Sequence, residues 1–227
     1  MRIICTTSNH YHHALKVFCY LFNKFWIPDS HVTVLGYNQP EFKLPDNFSF
    51  ISMGEQKGPS FWCTDLKQYI NLILDKNFIL MMEDGFLNRP INLDLYKKLC
   101  SCINSNIGRI DLTQDMSTRE YSHYKYIQGM EIVKSNQEIN YRISTQISIW
   151  SKSFMLDYLI DGRSPWEFEI KGSEEARKDN RLILGTTKKD GFCVSNLEGV
   201  RKQNINHLNL NGLDDQTLRE LKDNNLI

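Results

Sequence analysis

The chain has 227 residues, of which 41% are hydrophobic and 24% are charged, so a folded globular protein is expected and global disorder is excluded. Lysine plus arginine and aspartate plus glutamate each number 27, so the basic surplus typical of proteins that bind the nucleic-acid backbone is absent. No apolar run approaches the ~18 residues of a membrane-spanning helix, and the first residues lack the apolar core of a signal peptide. We therefore expect a cytoplasmic protein whose six cysteines are reduced thiols in or near the core.

The first half of the chain alternates predicted strands and helices. Alternating or apolar runs predict strands at 2–6, 31–37, 48–53, 77–82 and 108–112. Apolar residues spaced three and four apart predict helices at 11–26, 61–74 and 92–102, the last capped by Asn92. This strand-helix-strand opening favours a parallel sheet with a ligand site at the carboxyl ends of its strands.

The second half is less regular. Residues 117–140 are polar and aromatic without a clean period, and 143–150 alternate as in a strand at a sheet edge. A helix capped by Ser151 is predicted at 151–160, a rigid turn at 164–169, and helices at 173–180 and 213–222. Strands are predicted near 181–184 and 192–195. Without repeats or a low-complexity linker, one α/β domain is the simplest organisation.

Two adjacent carboxylates follow the apolar strand at 77–82. Glu83 and Asp84 would repel a bound diphosphate unless a divalent cation lay between them, and oxygen ligands of this kind suit Mg²⁺ or Mn²⁺. Adjacent acids point in different directions, so one can bind metal while the other orients a sugar. The alternative is that this pair only opens a turn.

A second group of candidates lies in the segment Ser164-Pro-Trp-Glu-Phe-Glu169. In an extended segment the spacing of two places Glu167 and Glu169 on the same side. The ring of Trp166 can stack on a sugar, and a carboxylate can take a proton from a hydroxyl nucleophile. The alternative is an aromatic anchor beside solvated glutamates.

Other polar residues carry weaker signals. Arg142 and Gln146 have the chemistry to bind a phosphate or a sugar hydroxyl, although an ordinary strand also accounts for them. The histidines at 10, 12 and 13 lack a matching zinc ligand set. Glycine-rich phosphate loops and the nucleophile motif of hydrolases are missing, which disfavours P-loop enzymes, common dehydrogenases and α/β hydrolases.

Three motifs, in this order, resemble a known family. They are Ile79-Leu-Met-Met-Glu-Asp-Gly-Phe-Leu-Asn-Arg-Pro90, Tyr141-Arg-Ile-Ser-Thr-Gln-Ile-Ser-Ile-Trp150 and Ser164-Pro-Trp-Glu-Phe-Glu169. Over about residues 60–200 the chain resembles bacterial and viral glycosyltransferases. The resemblance implies a single-domain GT-A-like (Rossmann-like) α/β fold with a mixed, mostly parallel sheet flanked by helices. It also implies sugar transfer from a nucleotide sugar, with UDP-sugars favoured, and Mg²⁺ or Mn²⁺ as the cofactor. The chain departs from the usual Asp-x-Asp metal motif, since it has Glu83-Asp84-Gly85 instead.

The resemblance also implies roles for individual residues. Residues 1–112 would form a nucleotide-sugar-binding half and residues 113–227 an acceptor-binding half. Glu83 and Asp84 would hold the metal, and Glu169 or Glu167 would act as the general base. The residues expected against the donor are Thr6, Thr7, Ser8, Asn9, Phe61, Trp62, Asp65, Glu83 and Asp84, and those expected against sugar and acceptor are Trp166, Arg142 and Gln146.

Several alternatives remain open at the level of sequence. The acceptor can be a glycan, a lipid-linked sugar or a hydroxylated base in modified DNA, the last of which requires a basic groove. A nonenzymatic module that binds sugars or nucleotides is a different class, although such a module does not need the acid pair. A metal-dependent nucleotidyltransferase or phosphohydrolase would need further clustered carboxylates.

Overall fold

The computed structural model describes residues 1–201 and 204–227. Its strands are β1 (Arg2–Thr6), β2 (Val32–Gly36), β3 (Phe48–Ser52), β4 (Asn77–Met82), β5 (Gly85–Leu87), β6 (Ile107–Asp111), β7 (Tyr121–Ile127), β8 (Met130–Ser135), β9 (Ser148–Ser151), β10 (Leu182–Thr186), β11 (Asn196–Glu198), β12 (Val200–Arg201) and β13 (Asn204–Leu208). Its α-helices are α1 (His12–Phe25), α2 (Trp62–Leu72), α3 (Leu93–Cys100), α4 (Lys152–Tyr158), α5 (Pro165–Ala176) and α6 (Asp215–Asp223).

A nine-stranded sheet organises the described part of the chain, in the order β3-β2-β1-β4-β9-β6-β10-β8-β7. Strands β1 to β4 are parallel to one another, and β10 is parallel to β6. Strand β9 is antiparallel to both β4 and β6, and the β7–β8 hairpin continues the sheet beyond β10. The sheet is therefore mixed, with β8 and β9 running against the other seven strands. Strands β5 and β11 form a small separate pair.

Helices cover both faces of this sheet. Helices α1, α3 and α6 contribute buried side chains to one hydrophobic cluster, and α2, α4 and α5 contribute to a second. Successive residues of β4 alternate between the clusters, with Ile79 in the first and Leu80 in the second. Burial on both faces explains why the sequence of this strand is continuously apolar.

The elements predicted for the first half of the chain are confirmed. Strands β1 and β4 have the predicted bounds, and the other predicted first-half elements differ by at most two residues at either end. The side chain of Asn92 caps α3 by accepting a hydrogen bond from the backbone of Leu95 at 3.0 Å. The six cysteines are free thiols, of which five are buried and Cys100 is partly exposed.

The second half differs more from the prediction. Residues 117–140 contain the β7–β8 hairpin, which lacks a clear period because most of β7 is exposed. The alternating segment at 143–150 is a strand only from Ser148 onward, and β9 lies inside the sheet and not at its edge. Ser151 precedes α4 but makes no side-chain capping bond. The strand expected at 192–195 begins later, at β11.

The sheet does not divide at residue 112. Strand β9, from the second half of the chain, lies between β4 and β6 of the first half. The two proposed halves therefore share one sheet, and their assignment to donor and acceptor stays a prediction. Among the helices of the described residues, none combines the length and the apolar character needed to cross a membrane.

Candidate functional site

The loops after β1, β2 and β4 meet at one edge of the sheet. Strand β1 lies between β2 and β4 and is parallel to both, so Thr6, Gly36 and Met82 end on the same side. The chain leaves β1 toward α1 on one face, while α2 lies on the opposite face. A crevice between neighbouring loops of this kind is the usual ligand position in open α/β sheets.

Glu83 is buried directly beneath the loop that follows β1. Its side chain is 4% exposed, and Oε1 accepts hydrogen bonds from the Thr7 hydroxyl at 3.3 Å and the Ser8 backbone amide at 3.4 Å. Burial, aided by the charge of Asp84, raises the pKa of Glu83 well above its usual value. The structure thus brings together two of the predicted groups, the residues after β1 and the acid pair after β4.

Asp84 is partly buried beside two further carboxylates. Burial, followed by the charges of Glu198 and Glu169, raises its pKa to about 6. Glu198 stands opposite Gly85 in the β5–β11 pair, and the backbone amide of Gly199 donates to the Asp84 carbonyl at 2.6 Å. We call Glu83, Asp84 and Glu198 the carboxylate site.

Asp84→Asn is expected to change how stability depends on pH. Because the folded protein raises the pKa of Asp84 from 3.8 to about 6, it binds this proton more tightly than the unfolded chain does. The free energy of unfolding therefore falls as the pH rises through this interval, by at most about 3 kcal/mol for this group. In metal-free buffer the variant should exceed the wild type in stability above pH 6 and match it below pH 4.

Urea denaturation at a series of pH values measures this difference. Asp94→Asn is the matched control, since Asp94 is an exposed aspartate on α3. Superimposable stability profiles for Asp84→Asn and the wild type would contradict the prediction.

Tyr11 joins the carboxylate site to α1. Burial raises the pKa of its phenol, and the charges of Glu83, Asp84 and Glu198 raise it further. Sequence reasoning missed both Tyr11 and Glu198. Glu198 is more than 100 residues from the acid pair and lies in an ordinary polar segment, so no local signal identifies it.

The oxygen atoms that the carboxylate site offers as metal ligands are suited to a divalent cation, but they are too few to complete its coordination. Glu83 and Asp84 supply hard oxygen ligands, and within the described residues no lysine or arginine shifts the pKa of either group. Across residues 1–201 and 204–227, no cluster of three or more His, Cys, Asp or Glu side chains is arranged to hold a metal ion. A cation here would need phosphate oxygens or water to complete its coordination, as Mg²⁺ commonly does.

The segment containing the two candidate glutamates is helical, so the expectation of an extended turn is wrong. Ser164 is the N-cap of α5 and Pro165 its first residue. Glu167 accepts hydrogen bonds from the Ser164 backbone amide and hydroxyl at 3.0 Å each, which completes a capping box. Successive helical residues rotate by about 100°, so Glu167 and Glu169 point in different directions.

These contacts give Glu167 a structural role. The ammonium of Lys171, 2.8 Å from Oε1, and the bonds from Ser164 lower its pKa to about 2. A general base with so low a pKa is inefficient at neutral pH. The geometry therefore does not favour Glu167 as the base.

Glu169 faces a different environment. Its Oε1 accepts from the backbone amide of Thr145 at 2.7 Å and from the Thr145 hydroxyl at 2.9 Å. Its charge acts on Asp84, so this partly buried carboxylate lies on the side of the carboxylate site. Trp166, on the same helix, is 48% exposed.

Arg142 lies in the interior of the protein, where it cannot contact a bound sugar or acceptor substrate. It is 1% exposed, and its guanidinium donates to the carbonyls of Arg181 at 2.9 Å and of Ala176 and Asn136 at 3.3 Å each. These bonds tie α5 and the residues flanking β8 and β10 to the segment before β9, so the expected sugar contact of Arg142 is wrong. Gln146 is exposed, and its backbone carbonyl accepts a hydrogen bond from the Ser148 hydroxyl at 2.7 Å.

The residues of α2 and the preceding loop that are expected to contact the nucleotide of the donor occupy two environments. Trp62 is 7% exposed and packs edge-on against Phe168 with ring centroids 5.6 Å apart, so most of its ring belongs to the core. Asp65 accepts a hydrogen bond from the Tyr37 hydroxyl at 3.0 Å, and burial raises its pKa. Phe61 is 38% exposed, with the ammonium of Lys57 5.8 Å above its ring.

The predicted donor-binding residues at the end of β1 and in the loop after it also occupy two environments. Thr6 and Thr7 are buried, while Ser8 and Asn9 are partly exposed. The backbone amide of Asn9 donates to the Gln56 side chain at 3.1 Å, and its own carbonyl oxygen Oδ1 accepts from the backbone of Asn38 at 2.9 Å. These bonds anchor the loop after β1 to the loops that follow β2 and β3.

Comparison with known proteins gives a structural match only. No protein family and no curated protein matches the sequence. The solved structure of S. aureus TarS 1-349 is 12% identical over 82% of this chain and 58% of that chain, with a TM-score of 0.52. The bifunctional IspDF from Campylobacter jejuni is 12% identical over 94% of this chain and 54% of that chain, with a TM-score of 0.49. This chain therefore spans less than two thirds of either structure.

The chain has a GT-A-type α/β fold. This confirms the fold expected from the resemblance, namely one Rossmann-like domain with helices on both faces of a mixed sheet. At 12% identity the likeness to TarS extends to the fold alone. In this fold the carboxylate site lies where the first and fourth strands end.

Proposed function

We propose that this protein is a glycosyltransferase that transfers a sugar from a nucleotide-sugar donor to an acceptor hydroxyl, with UDP-sugars as the first donors to test. One observation carries the proposal. Glu83 and Asp84 lie at the carboxyl end of β4 in a GT-A-type fold, with raised pKa values and no neighbouring cation among the described residues that compensates them. Keeping both of these buried carboxyl groups ionised at neutral pH costs free energy unless a positively charged ligand binds there.

Different residues of the chain would position the diphosphate and the nucleobase of the donor. Glu83 holds the loop after β1 through Thr7 and Ser8, which positions that loop against the diphosphate of a donor. The Tyr37–Asp65 hydrogen bond ties the end of β2 to α2, on the side where the nucleobase of the donor is expected. Mg²⁺ or Mn²⁺, when bound at Glu83 and Asp84, would supply positive charge to the departing nucleoside diphosphate.

Glu169 is the proposed general base. Its side chain is held in one orientation by hydrogen bonds from the Thr145 amide and hydroxyl. Its charge acts on Asp84, so it lies on the side of α5 that faces the carboxylate site. A carboxylate in this position can accept the proton of an acceptor hydroxyl as the sugar is transferred. Trp166, exposed on the same helix, offers a flat surface for a sugar ring. An assay of sugar transfer would test glycan, lipid-linked and modified-DNA acceptors separately.

Asp84→Asn is expected to abolish the joint binding of nucleotide and cation without unfolding the protein. Wild-type melting temperatures would be measured with UDP, GDP or CMP, each with and without Mn²⁺, and the best pair repeated by calorimetry. Ligand at 100 times its dissociation constant adds about 2.7 kcal/mol to stability. The wild type should show this gain only when nucleotide and Mn²⁺ are both present.

Asp161→Asn is the control variant, because Asp161 is exposed and its only described ion pair is with Lys67 on the surface. It should bind like the wild type. Equal binding by Asp84→Asn would remove the carboxylate site from the proposal. Nucleotide binding without slow hydrolysis of any donor sugar would favour a nonenzymatic binding module.

A further inference from the structure

A buried arginine on β6 has no part in the proposed reaction as described so far. Arg109 is 2% exposed, and its guanidinium carbon lies 5.5 Å from the ring centroid of Trp150 in the second hydrophobic cluster. Its charge is opposed by Asp111 and Asp115, whose carboxylates lie 3.9 and 3.7 Å from Nη2. Buried ion pairs are often no more stabilising than apolar residues of similar volume, so stability alone does not account for this arginine.

The guanidinium holds both ends of the segment that leads into β9. We call residues 142–147 the pre-β9 segment. Nε of Arg109 donates to the Ser148 hydroxyl at 2.8 Å, and Nη1 donates to the Arg142 carbonyl at 3.5 Å. The Ser148 hydroxyl in turn donates to the Gln146 carbonyl at 2.7 Å. Arg109 therefore ties this segment to β6.

Helix α5 holds the pre-β9 segment from the other side. The hydroxyl of Ser173 accepts a hydrogen bond from the backbone amide of Ile143 at 2.9 Å and donates to the backbone carbonyl of Glu169. Both Arg109 and Ser173 are almost completely buried, so water does not compete for these bonds. The segment is thus fixed between the sheet and the helix that bears Glu169.

Thr145 lies in the middle of the pre-β9 segment and orients the carboxylate of Glu169. Its amide and hydroxyl donate to Oε1 at 2.7 and 2.9 Å. Since both donors belong to one residue of the segment, a displacement of the segment changes the orientation of this carboxylate. Misplacing a reacting group by about 1 Å can lower a rate by ~10²-fold.

We propose that Arg109 is a positioning residue for the general base, because it fixes the segment from which Thr145 orients Glu169. The inference rests on the proposed function, since it concerns the base of that reaction. The side chain is suited to this role because its planar fork donates to two separate acceptors at a fixed spacing, whereas a lysine ammonium is a single point charge on a flexible stem.

Arg109→Lys and Ser148→Ala each break this connection in a different way. Lysine keeps a positive charge opposite Asp111 and Asp115 but loses the fork, and alanine removes the acceptor of the Nε bond without changing any charge. Each variant should lower kcat about tenfold or more, with the KM for the donor within about twofold of the wild type, because the carboxylate site is left intact.

A double-mutant cycle with Glu169→Gln distinguishes positioning from a general loss of packing. If Arg109 acts through Glu169, Arg109→Lys should change the residual turnover of Glu169→Gln by less than about twofold. Hydrogen exchange gives a second readout without any substrate. The Thr145 amide, which is bonded to Glu169, should exchange about tenfold faster or more in Arg109→Lys and in Ser148→Ala.

Thr217→Val is the matched control. Like Ser148, Thr217 is a fully buried hydroxyl that accepts a hydrogen bond from a basic side chain, in this case from Lys24 at 2.9 Å. It lies on α6, which covers the opposite face of the sheet. This variant should lose some stability and keep the kcat and the Thr145 exchange rate of the wild type.

Two results would overturn the inference. They are unchanged exchange of the Thr145 amide in the variants, and a loss of turnover by Arg109→Lys that is repeated in full in the Glu169→Gln background. If Arg109→Lys does not fold, Ser148→Ala undergoes the same tests. Faster Thr145 exchange without sugar transfer by the wild type would refute the proposed function alone, and sugar transfer with unchanged exchange would refute this inference alone.

Discussion

Glu169→Gln is expected to lower turnover of the nucleotide-sugar donor by ~10²–10⁴-fold while leaving the melting temperature almost unchanged. Glutamine keeps the size of the side chain and an oxygen that accepts the two hydrogen bonds from Thr145, which measure 2.7 and 2.9 Å. It cannot take a proton from an acceptor hydroxyl. The measurement is product formation at saturating donor, with the melting temperature of the same sample.

Glu167→Ala is the contrasting variant on the same helix. Because Glu167 completes the capping box with Ser164, its loss should cost about 0.5–2 kcal/mol of stability. Its turnover per folded molecule should equal that of the wild type. If Glu169→Gln also turns over like the wild type, the base lies elsewhere or the enzyme uses a retaining mechanism.

Phe168→Ala is expected to cause the largest loss of stability, about 3–5 kcal/mol. The Phe168 ring is completely buried, and its centroid lies 5.6 Å from that of Trp62 and 5.9 Å from that of Trp150. It thereby joins α5 to α2 and to β9. Removing it leaves a cavity where the helix that bears Glu169 meets the sheet, and urea denaturation measures the cost.

Ile170→Ala is the matched control for that variant. Ile170 lies on the same helix but is 51% exposed, so its truncation should change the free energy of unfolding by less than about 0.5 kcal/mol. Similar losses for the two variants would show that α5 is not held to the sheet through Phe168.

The helix at 165–176 shows how a local signal can be misinterpreted. Ser164, Pro165 and Glu167 occupy the N-cap, first and third positions, a combination that favours the start of a helix. The aromatic residues between them suggested a rigid turn instead. The capping box was therefore readable from the sequence, and it would have separated the roles of Glu167 and Glu169.

Arg142 illustrates a different kind of error. An arginine in an alternating segment has the right chemistry for a phosphate, and nothing in its sequence context indicates that it is 1% exposed. Its partners are the backbone carbonyls of residues 136, 176 and 181 and the hydroxyl of Ser135. Carbonyl orientation in distant loops depends on how the whole chain packs, so only the folded structure reveals this role.

By itself the sequence determined the strands and helices of the first half and the position of Glu83 and Asp84 at the end of a buried strand. Periodicity and apolar runs report the burial of each residue from its neighbours in the chain, so these features are local. Only the tertiary structure decided that β9 lies between β4 and β6 and that Glu198 joins Asp84. Strand order and strand register bring together residues that lie far apart in the chain, and the long-range packing that selects them is not encoded in any short segment.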